Sequence, residues 1–255
     1  MYAEERQQAI AALVIANGRA SVTELAQAYD VTTETVRRDL AALDKAGVVR
    51  RVHGGAVPVR ALHLVEAGVG ERESTRAEHK DAIARTAAEL IPPGGATILL
   101  DAGTTTARIA AHLPADRELV VVTNSVPVAA RIAAMPSVSL QLLGGRVRGI
   151  TQAVVGEQAL RVLDTLRVDM AFIGTNGISV RHGLSTPDNE EAAVKRAMVS
   201  SANYVVAVAD SSKVGREDFV SFAPLTSVDT LITDAEIADT DRRELVEHGV
   251  EVVVA

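Results

Sequence analysis

A chain of 255 residues suffices for one large domain, or for a small domain joined to a medium one. Its 47% hydrophobic and 23% charged residues are ordinary for a globular protein, and the lack of any Cys excludes disulfides, thiolate metal sites and a Cys nucleophile. The net charge of −7 argues against a uniformly basic nucleic-acid binder, yet residues 37–60 hold six basic and two acidic side chains, while residues 61–255 hold 18 basic and 26 acidic ones. A local basic footprint is enough for DNA, because phosphate charge is felt over about 8 Å at physiological salt. An acidic remainder limits non-specific adhesion.

With 2% aromatics and no Trp, the core must be built from Ala, Val, Leu and Ile. No apolar run reaches the length of a membrane span, and Met1 to Arg6 lacks the basic-then-apolar order of a signal peptide. The expectation is a cytoplasmic protein.

Between Glu4 and Asn17, Ala9, Ile10, Leu13 and Val14 recur at helical spacing. Ser21-Val22-Thr23-Glu24 reads as a capping box that opens a short helix through Tyr29. After Asp30-Val31, Thr32 caps a third helix with Val36, Leu40 and Leu43 inward. Val48 to Val59 reads as a two-stranded hairpin turning at His53-Gly54-Gly55. Three helices and a hairpin make a winged helix-turn-helix over residues 1–59. Residues 60–75 lack periodicity and read as a linker. Residues 76–255 then alternate. Helices are expected at about 78–91, 105–113, 126–135, 157–166, 188–201 and 239–248. Apolar strands are expected at 97–100, 119–122, 138–143, 168–173, 204–209, 230–233 and 250–254. This pattern predicts an α/β domain with a mostly parallel sheet covered on both faces.

In a helix-turn-helix the second helix meets base edges in the major groove. Thr33, Glu34, Arg37 and Arg38 fall on its outer side, where either arginine can pair with guanine. Thr33 and Thr35 suit a phosphate or a thymine methyl group. Asp39 is expected to orient a neighbouring arginine. Arg50, Arg51, His53 and Gly54 complete the expected DNA-contacting set on the hairpin. The plainer alternative is a solvated helix face followed by a glycine turn, and the capped helix and basic hairpin around the arginines favour DNA.

Val22-Thr23-Glu24-Leu25-Ala26, Val31 to Leu40 and Arg51-Val52-His53-Gly54-Gly55-Ala56 resemble the DeoR family of bacterial transcriptional regulators. Thr32 stands where that family often has Ser, which keeps the cap. The resemblance extends over the rest of the chain. It implies a C-terminal sensor related in fold to ribose-5-phosphate isomerase and the CoA transferases, responding to a phosphorylated sugar.

The residues point the same way. Leu99-Leu100-Asp101-Ala102-Gly103-Thr104-Thr105-Thr106 reads as strand, turn and helix start, with amides and hydroxyls suited to a phosphate. Simple helix capping is the alternative, and three threonines exceed what a cap requires. Asn124-Ser125, Gly145 with Arg148, and Gly174 with Asn176 follow later strands, and such loops converge on one crevice. Lys213, after Asp210, is either a ligand-binding or a plain surface lysine. A lysine at the matching place in the family favours the first. The effector set is therefore Asp101, Gly103, Thr104, Thr105, Thr106, Asn124, Ser125, Gly145, Arg148, Gly174, Asn176 and Lys213. Asp188, Glu190 and Glu191 suit a helix start by charge alone.

The rival reading is a sugar-phosphate isomerase carrying a DNA-binding appendage. Isomerisation needs a base. The related isomerases have an acidic pair where this chain has Thr175-Asn176-Gly177, although Glu190 and Glu191 keep the reading open. A CoA transferase would need a glutamate nucleophile, and no loop clearly presents one. No catalytic residue, metal or cofactor is called for. Operator DNA and a sugar phosphate are the expected partners, with a dimer or tetramer because each winged domain reads a short site.

Overall fold

The computed structural model describes residues 3–17, 20–52, 54–58 and 68–255. His53 and the Arg50 side chain, both expected on the wing, and residues 60–67 of the expected linker lie outside the described residues. The chain divides into two compact units, Met1–Leu62 and His63–Ala255.

In the first unit, α1 (Ala3–Asn17) leads to a short strand β1 (Ala20–Ser21) and then α2 (Val22–Ala28). The Ser21 side chain accepts from Glu24 N–H at 3.1 Å and the Glu24 carboxylate accepts from Ser21 N–H at 2.9 Å, so the expected capping box is closed in both directions. Asp30 adopts a left-handed conformation (φ 51°), turning the chain into α3 (Thr33–Lys45), which Thr32 caps through Thr35 N–H. Ile10, Val14, Leu25, Val36, Leu40 and Leu43 form the unit's core. The wing comprises β2 (Val49–Val52) and β3 (Gly55–Pro58), joined by β1 into a three-stranded antiparallel sheet in the order β1-β3-β2. The two-stranded expectation missed β1, which is only two residues long. Gly55 makes the third strand possible, since a Cβ there would lie 2.3 Å from the Ala20 carbonyl oxygen.

The second unit opens with α4 (Val69–Ser74), in a stretch read from sequence as structureless linker. It buries none of its residues, so it leaves no apolar periodicity to detect. Next come α5 (Ala77–Glu89), β4 (Ala96–Leu100), α6 (Thr104–Ile109), β5 (Leu119–Thr123), α7 (Val126–Ile132) and β6 (Val138–Leu142). A hairpin of β7 (Arg146–Arg148) and β8 (Ala153–Val155) precedes α8 (Glu157–Asp164) and β9 (Val168–Gly174). Strands β10 (Gly177–Ser179) and β11 (Gly183–Thr186) lead into α9 (Asn189–Ser201) and β12 (Ala202–Val208). The unit ends with β13 (Val220–Ala223), β14 (Thr230–Thr233), α10 (Asp239–Glu247) and β15 (Glu251–Val254).

Seven strands form one parallel sheet in the order β15-β14-β12-β9-β4-β5-β6. Its two faces carry separate apolar cores, one around Ile83, Ile98, Ile109 and Phe172, the other around Leu163, Ile173, Met198 and Leu231. Starting from β4 the chain builds outward through β5 and β6, then returns to place β9 on the other side of β4. The loops leaving β4 and β9 therefore diverge, which opens a crevice at the carboxyl ends of these two strands. Strands β10, β11 and β13 form a small antiparallel sheet that the sequence reading did not anticipate.

Candidate functional site

The DNA-facing expectation rests on α3. Thr33, Glu34, Arg37 and Arg38 are exposed, while Val36, Leu40 and Leu43 are buried. Both arginines lie beside Glu34, at 3.6 Å from Arg37 and 3.7 Å from Arg38. Such exposed pairs contribute little, so they hold the guanidinium groups loosely. Thr35 is half-buried, its hydroxyl 2.9 Å from that of Thr32, so it serves the helix cap. Asp39 corrects the sequence reading. It is buried and accepts hydrogen bonds from Arg6 (2.6 Å) and Gln7 (3.0 Å) on α1. It therefore fixes α3 to α1 and leaves Arg37 and Arg38 to Glu34. On the wing, Arg51 is exposed and its N–H donates to Asp44 at 3.1 Å. Gly54 is exposed in a left-handed turn (φ 79°), and its carbonyl accepts from Val22 N–H at 2.8 Å, tying the wing to α2.

In the second unit a cavity of about 190 Å³ opens at the crevice between β4 and β9. The loop after β4 and the start of α6 contribute Gly103, Thr104, Thr105 and Thr106, and the loop after β9 contributes Gly174, Thr175 and Asn176. Asp210, Ser212 and Lys213 enter after β12, Glu191 and Lys195 from α9, and Thr151 from the β7–β8 turn. Glu71, Arg72 and Thr75 of α4 and its end, with Lys80 of α5, close the remaining side.

The cations on this wall are held in different ways. Lys195 is buried, forms an ion pair with Asp101 and donates to the Gly174 carbonyl at 2.9 Å. Asp101 also accepts from Gly174 N–H at 3.0 Å, and burial pushes its pKa up against the pull of Lys195. Lys80 is buried and donates to the carbonyls of Arg72 and Thr75, the latter at 2.7 Å. Burial lowers its pKa, Asp210 opposing and Arg72 assisting. Lys213 has no such partner: among the described residues no hydrogen bond or salt bridge reaches its ammonium. Burial, with Arg216, Arg72 and Lys80 assisting and Asp210 opposing, pulls its pKa down to about 8. A cation desolvated and repelled in this way gains from an anion.

The acids are mostly engaged. Glu191 is buried and accepts from Arg148 at 2.9 Å and from the Thr151 hydroxyl. Asp210 faces Arg76 at 3.3 Å and accepts from Ser212. Glu190 is exposed, pairs with Arg146 and does not line the cavity.

The family model for the DeoR C terminal sensor domain matches residues 75–235, and that for the DeoR-like helix-turn-helix domain matches residues 6–60. The chain belongs to the DeoR family. It is 39% identical over 253 residues to the HTH-type transcriptional regulator GlpR of Haloferax volcanii, spanning 99% of this chain and 98% of that one. It is 32% identical over 248 residues to the glycerol-3-phosphate regulon repressor of Escherichia coli K12, covering 97% of each. Among solved structures it is similar to ribose 5-phosphate isomerase A from Methanocaldococcus jannaschii, with 19% identity, 55% of each chain covered and a TM-score of 0.41.

As a DeoR-family member the chain is a DNA-binding transcriptional regulator, its helix-turn-helix joined to an α/β sensor. Of the residues singled out from sequence in the DeoR sensor, Gly103, Thr104, Thr105, Thr106, Gly174, Asn176 and Lys213 line the cavity. Asp101 stands behind the wall as the partner of Lys195. The others lie off the wall and shape it. Asn124 accepts from Ala102 N–H at 2.9 Å and donates to the Val154 carbonyl, and Ser125 caps α7 through Val128 N–H. Gly145 packs where a Cβ would meet the Val155 carbonyl oxygen at 2.7 Å. Arg148 pairs with Asp188 and Glu191. Sequence reasoning missed Arg72, Lys80, Thr151 and Lys195 on the wall. Lys80 and Lys195 sit on helices at inward positions whose buried neighbours are mostly apolar, and that break in pattern was the available signal. No helix among the described residues is long and apolar enough to cross a membrane.

Proposed function

We propose that this regulator is a repressor of sugar or sugar-alcohol phosphate metabolism whose operator affinity falls when a phosphorylated sugar occupies the cavity. The observation that carries this reading is Lys213, an ammonium without a hydrogen-bond partner among the described residues, pulled down to about 8 by burial and three neighbouring cations against the pull of Asp210, and lining the same cavity as Thr104, Thr105 and Thr106. A phosphate relieves the cationic repulsion, and the remaining wall of Thr151, Asn176 and Glu191 suits sugar hydroxyls. A hexose or ketohexose phosphate such as a fructose phosphate is the leading candidate. The glycerol-3-phosphate regulon repressor, by its name, concerns a compound of the same phosphate-and-hydroxyl class.

The cavity serves sensing rather than turnover. The loop after β9 carries Thr175 and Asn176, neither of them a base, and of the three lining carboxylates Glu191 and Asp210 are occupied by Arg148 and Arg76, leaving Glu71 of α4. Operator contacts come from Thr33, Arg37 and Arg38, with Arg50, Arg51 and Gly54 on the wing, and the chain acts as a dimer or tetramer so that two short sites are read together. Calorimetry on the full chain with fructose 6-phosphate, fructose 1-phosphate and glycerol 3-phosphate, each against its unphosphorylated parent, tests the effector class. Equal affinity for parent and phosphate would refute the phosphate site, and conversion of any of them by the protein would refute the sensor reading.

A further inference from the structure

Helix α4 is held to the rest of its unit by polar contacts. None of its residues is buried, and Gly68 gives it no side-chain cap. Val69 N–H donates to the Ile150 carbonyl at 3.1 Å. Arg108, from α6, donates to the Glu73 carboxylate at 2.8 Å and to its carbonyl at 3.2 Å. Lys80 reaches across to the carbonyls of Arg72 and Thr75 at the helix end. An element with no fully buried side chain is positioned largely by such contacts.

Of these contacts, the one from Lys80 leads into the cavity. Lys80 lines it, and so do Glu71, Arg72 and Thr75 of the segment that Lys80 holds. An ammonium has three N–H donors, and two of them serve the Arg72 and Thr75 carbonyls. The third is available to an anion without breaking either bond. Burial, with Arg72 assisting and Asp210 opposing, disfavours the charge on Lys80, so a phosphate beside it would restore part of what burial removes. Arg72 lies on the segment itself and lines the same cavity.

On these grounds we infer that residues 69–75 form a strap which a bound anion fastens, Lys80 linking that anion to the strap's carbonyls. The inference rests on the sugar-phosphate reading above and adds the element that registers occupancy. In chain order the strap is the first described element after the DNA-binding unit. Lys80 is thus a positioning residue as well as part of the wall.

Hydrogen–deuterium exchange on the full chain tests this, with calorimetry run beside it. Wild type, Lys80→Met and Arg108→Gln are each measured alone, with saturating fructose 6-phosphate and with saturating inorganic phosphate. In wild type either ligand should slow exchange across residues 69–76 by about tenfold or more, the effect of one added charge-assisted hydrogen bond. In Lys80→Met the ligand should bind more weakly and, at saturation, leave this segment's exchange unchanged. In Arg108→Gln, which does not touch the cavity, the unliganded segment should exchange faster than in wild type and the ligand should restore its protection. Ligand binding without slowing in wild type overturns the strap alone, as does full slowing in Lys80→Met. Should Lys80→Met fail to fold, wild type and Arg108→Gln still decide. Absence of binding by both probes in wild type overturns the sugar-phosphate reading and the strap with it.

Discussion

Lys195 on α9 closes an ion pair with Asp101 at the end of β4, joining two residues 94 positions apart at the point where the parallel sheet reverses its build. Both are buried, and Gly174 of β9 bonds to each of them, so the pair fixes the loops that diverge around the cavity.

Removing one partner leaves the other buried and uncompensated. Lys195→Met should therefore cost the sensor unit about 3–5 kcal/mol, read as an earlier transition of that unit in urea. Combining it with Asp101→Leu should recover much of the loss. A single variant that unfolds within about 1 kcal/mol of wild type would show that the pair does not hold the crevice.

Lys213 gives the sensor a pH signature. Its pKa lies at about 8 in the folded chain against an ordinary 10.5, so between these values the unfolded chain binds more protons. Stability of the unliganded protein should then rise as pH climbs through that window, and Lys213→Met should flatten the rise. Phosphate favours the charged lysine, so binding near pH 8 should take up protons and weaken as pH increases further. Calorimetry in buffers of different ionisation enthalpy reads the uptake directly. Proton release on binding, equal in wild type and Lys213→Met, would contradict the assignment.

Arg37 and Arg38 touch only exposed Glu34 through their side-chain ion pairs, so replacing both with Ala should leave the thermal unfolding of the protein where it is. Each lost bidentate base contact costs about 1–3 kcal/mol, and the double variant should bind its operator no better than unrelated duplex. An unaltered footprint would mean that α3 does not read the bases.

Much of this architecture was legible because its signals are local. Leu119 to Val122 is a continuous apolar run, and Val168 to Ile173 is apolar but for Asp169, which is what a strand largely buried on both faces looks like in sequence. Ser21 and Glu24 announce their cap by type and spacing. By contrast, α4 buries none of its residues and so writes no periodicity, and Gly177–Ser179 is too short and too mixed to read as a strand. The cavity wall divides the same way. Gly103 to Thr106 and Gly174 follow apolar strands, where parallel-sheet loops are known to converge. Lys80, Thr151 and Lys195 arrive from helices and a hairpin turn, by tertiary folding alone. Asp39 was misassigned because its neighbours in sequence are Arg38 and Leu40, while its partner, Arg6, is 33 residues away.

The Arg148 network offers a further test. This side chain holds Asp188 at 3.2 Å and Glu191 at 2.9 Å, joining the β7–β8 hairpin to the start of α9. Arg148→Met should remove the cation that balances Glu191 and leave its carboxylate, held by the Thr151 hydroxyl, uncompensated beside the ligand. Affinity for fructose 6-phosphate should fall by about tenfold, as expected for a desolvated like-charge contact, while operator binding without ligand persists. Unchanged ligand affinity would place the ligand away from Glu191.

The most direct test of the account is operator affinity measured by fluorescence anisotropy, with and without saturating sugar phosphate, in wild type and in Thr105→Leu. Thr105 is buried against the cavity, where a leucine would fill the space that the proposal gives to the phosphate. Because a ligand shifts the DNA-competent state only through its differential affinity, wild type should lose about 5–150-fold in operator affinity when the phosphorylated sugar is added. Thr105→Leu should show no change at the concentration that saturates wild type. A Thr105→Leu protein that responds as wild type does, or a wild type that responds equally to the unphosphorylated parent, would contradict the claim that this cavity is the sensor.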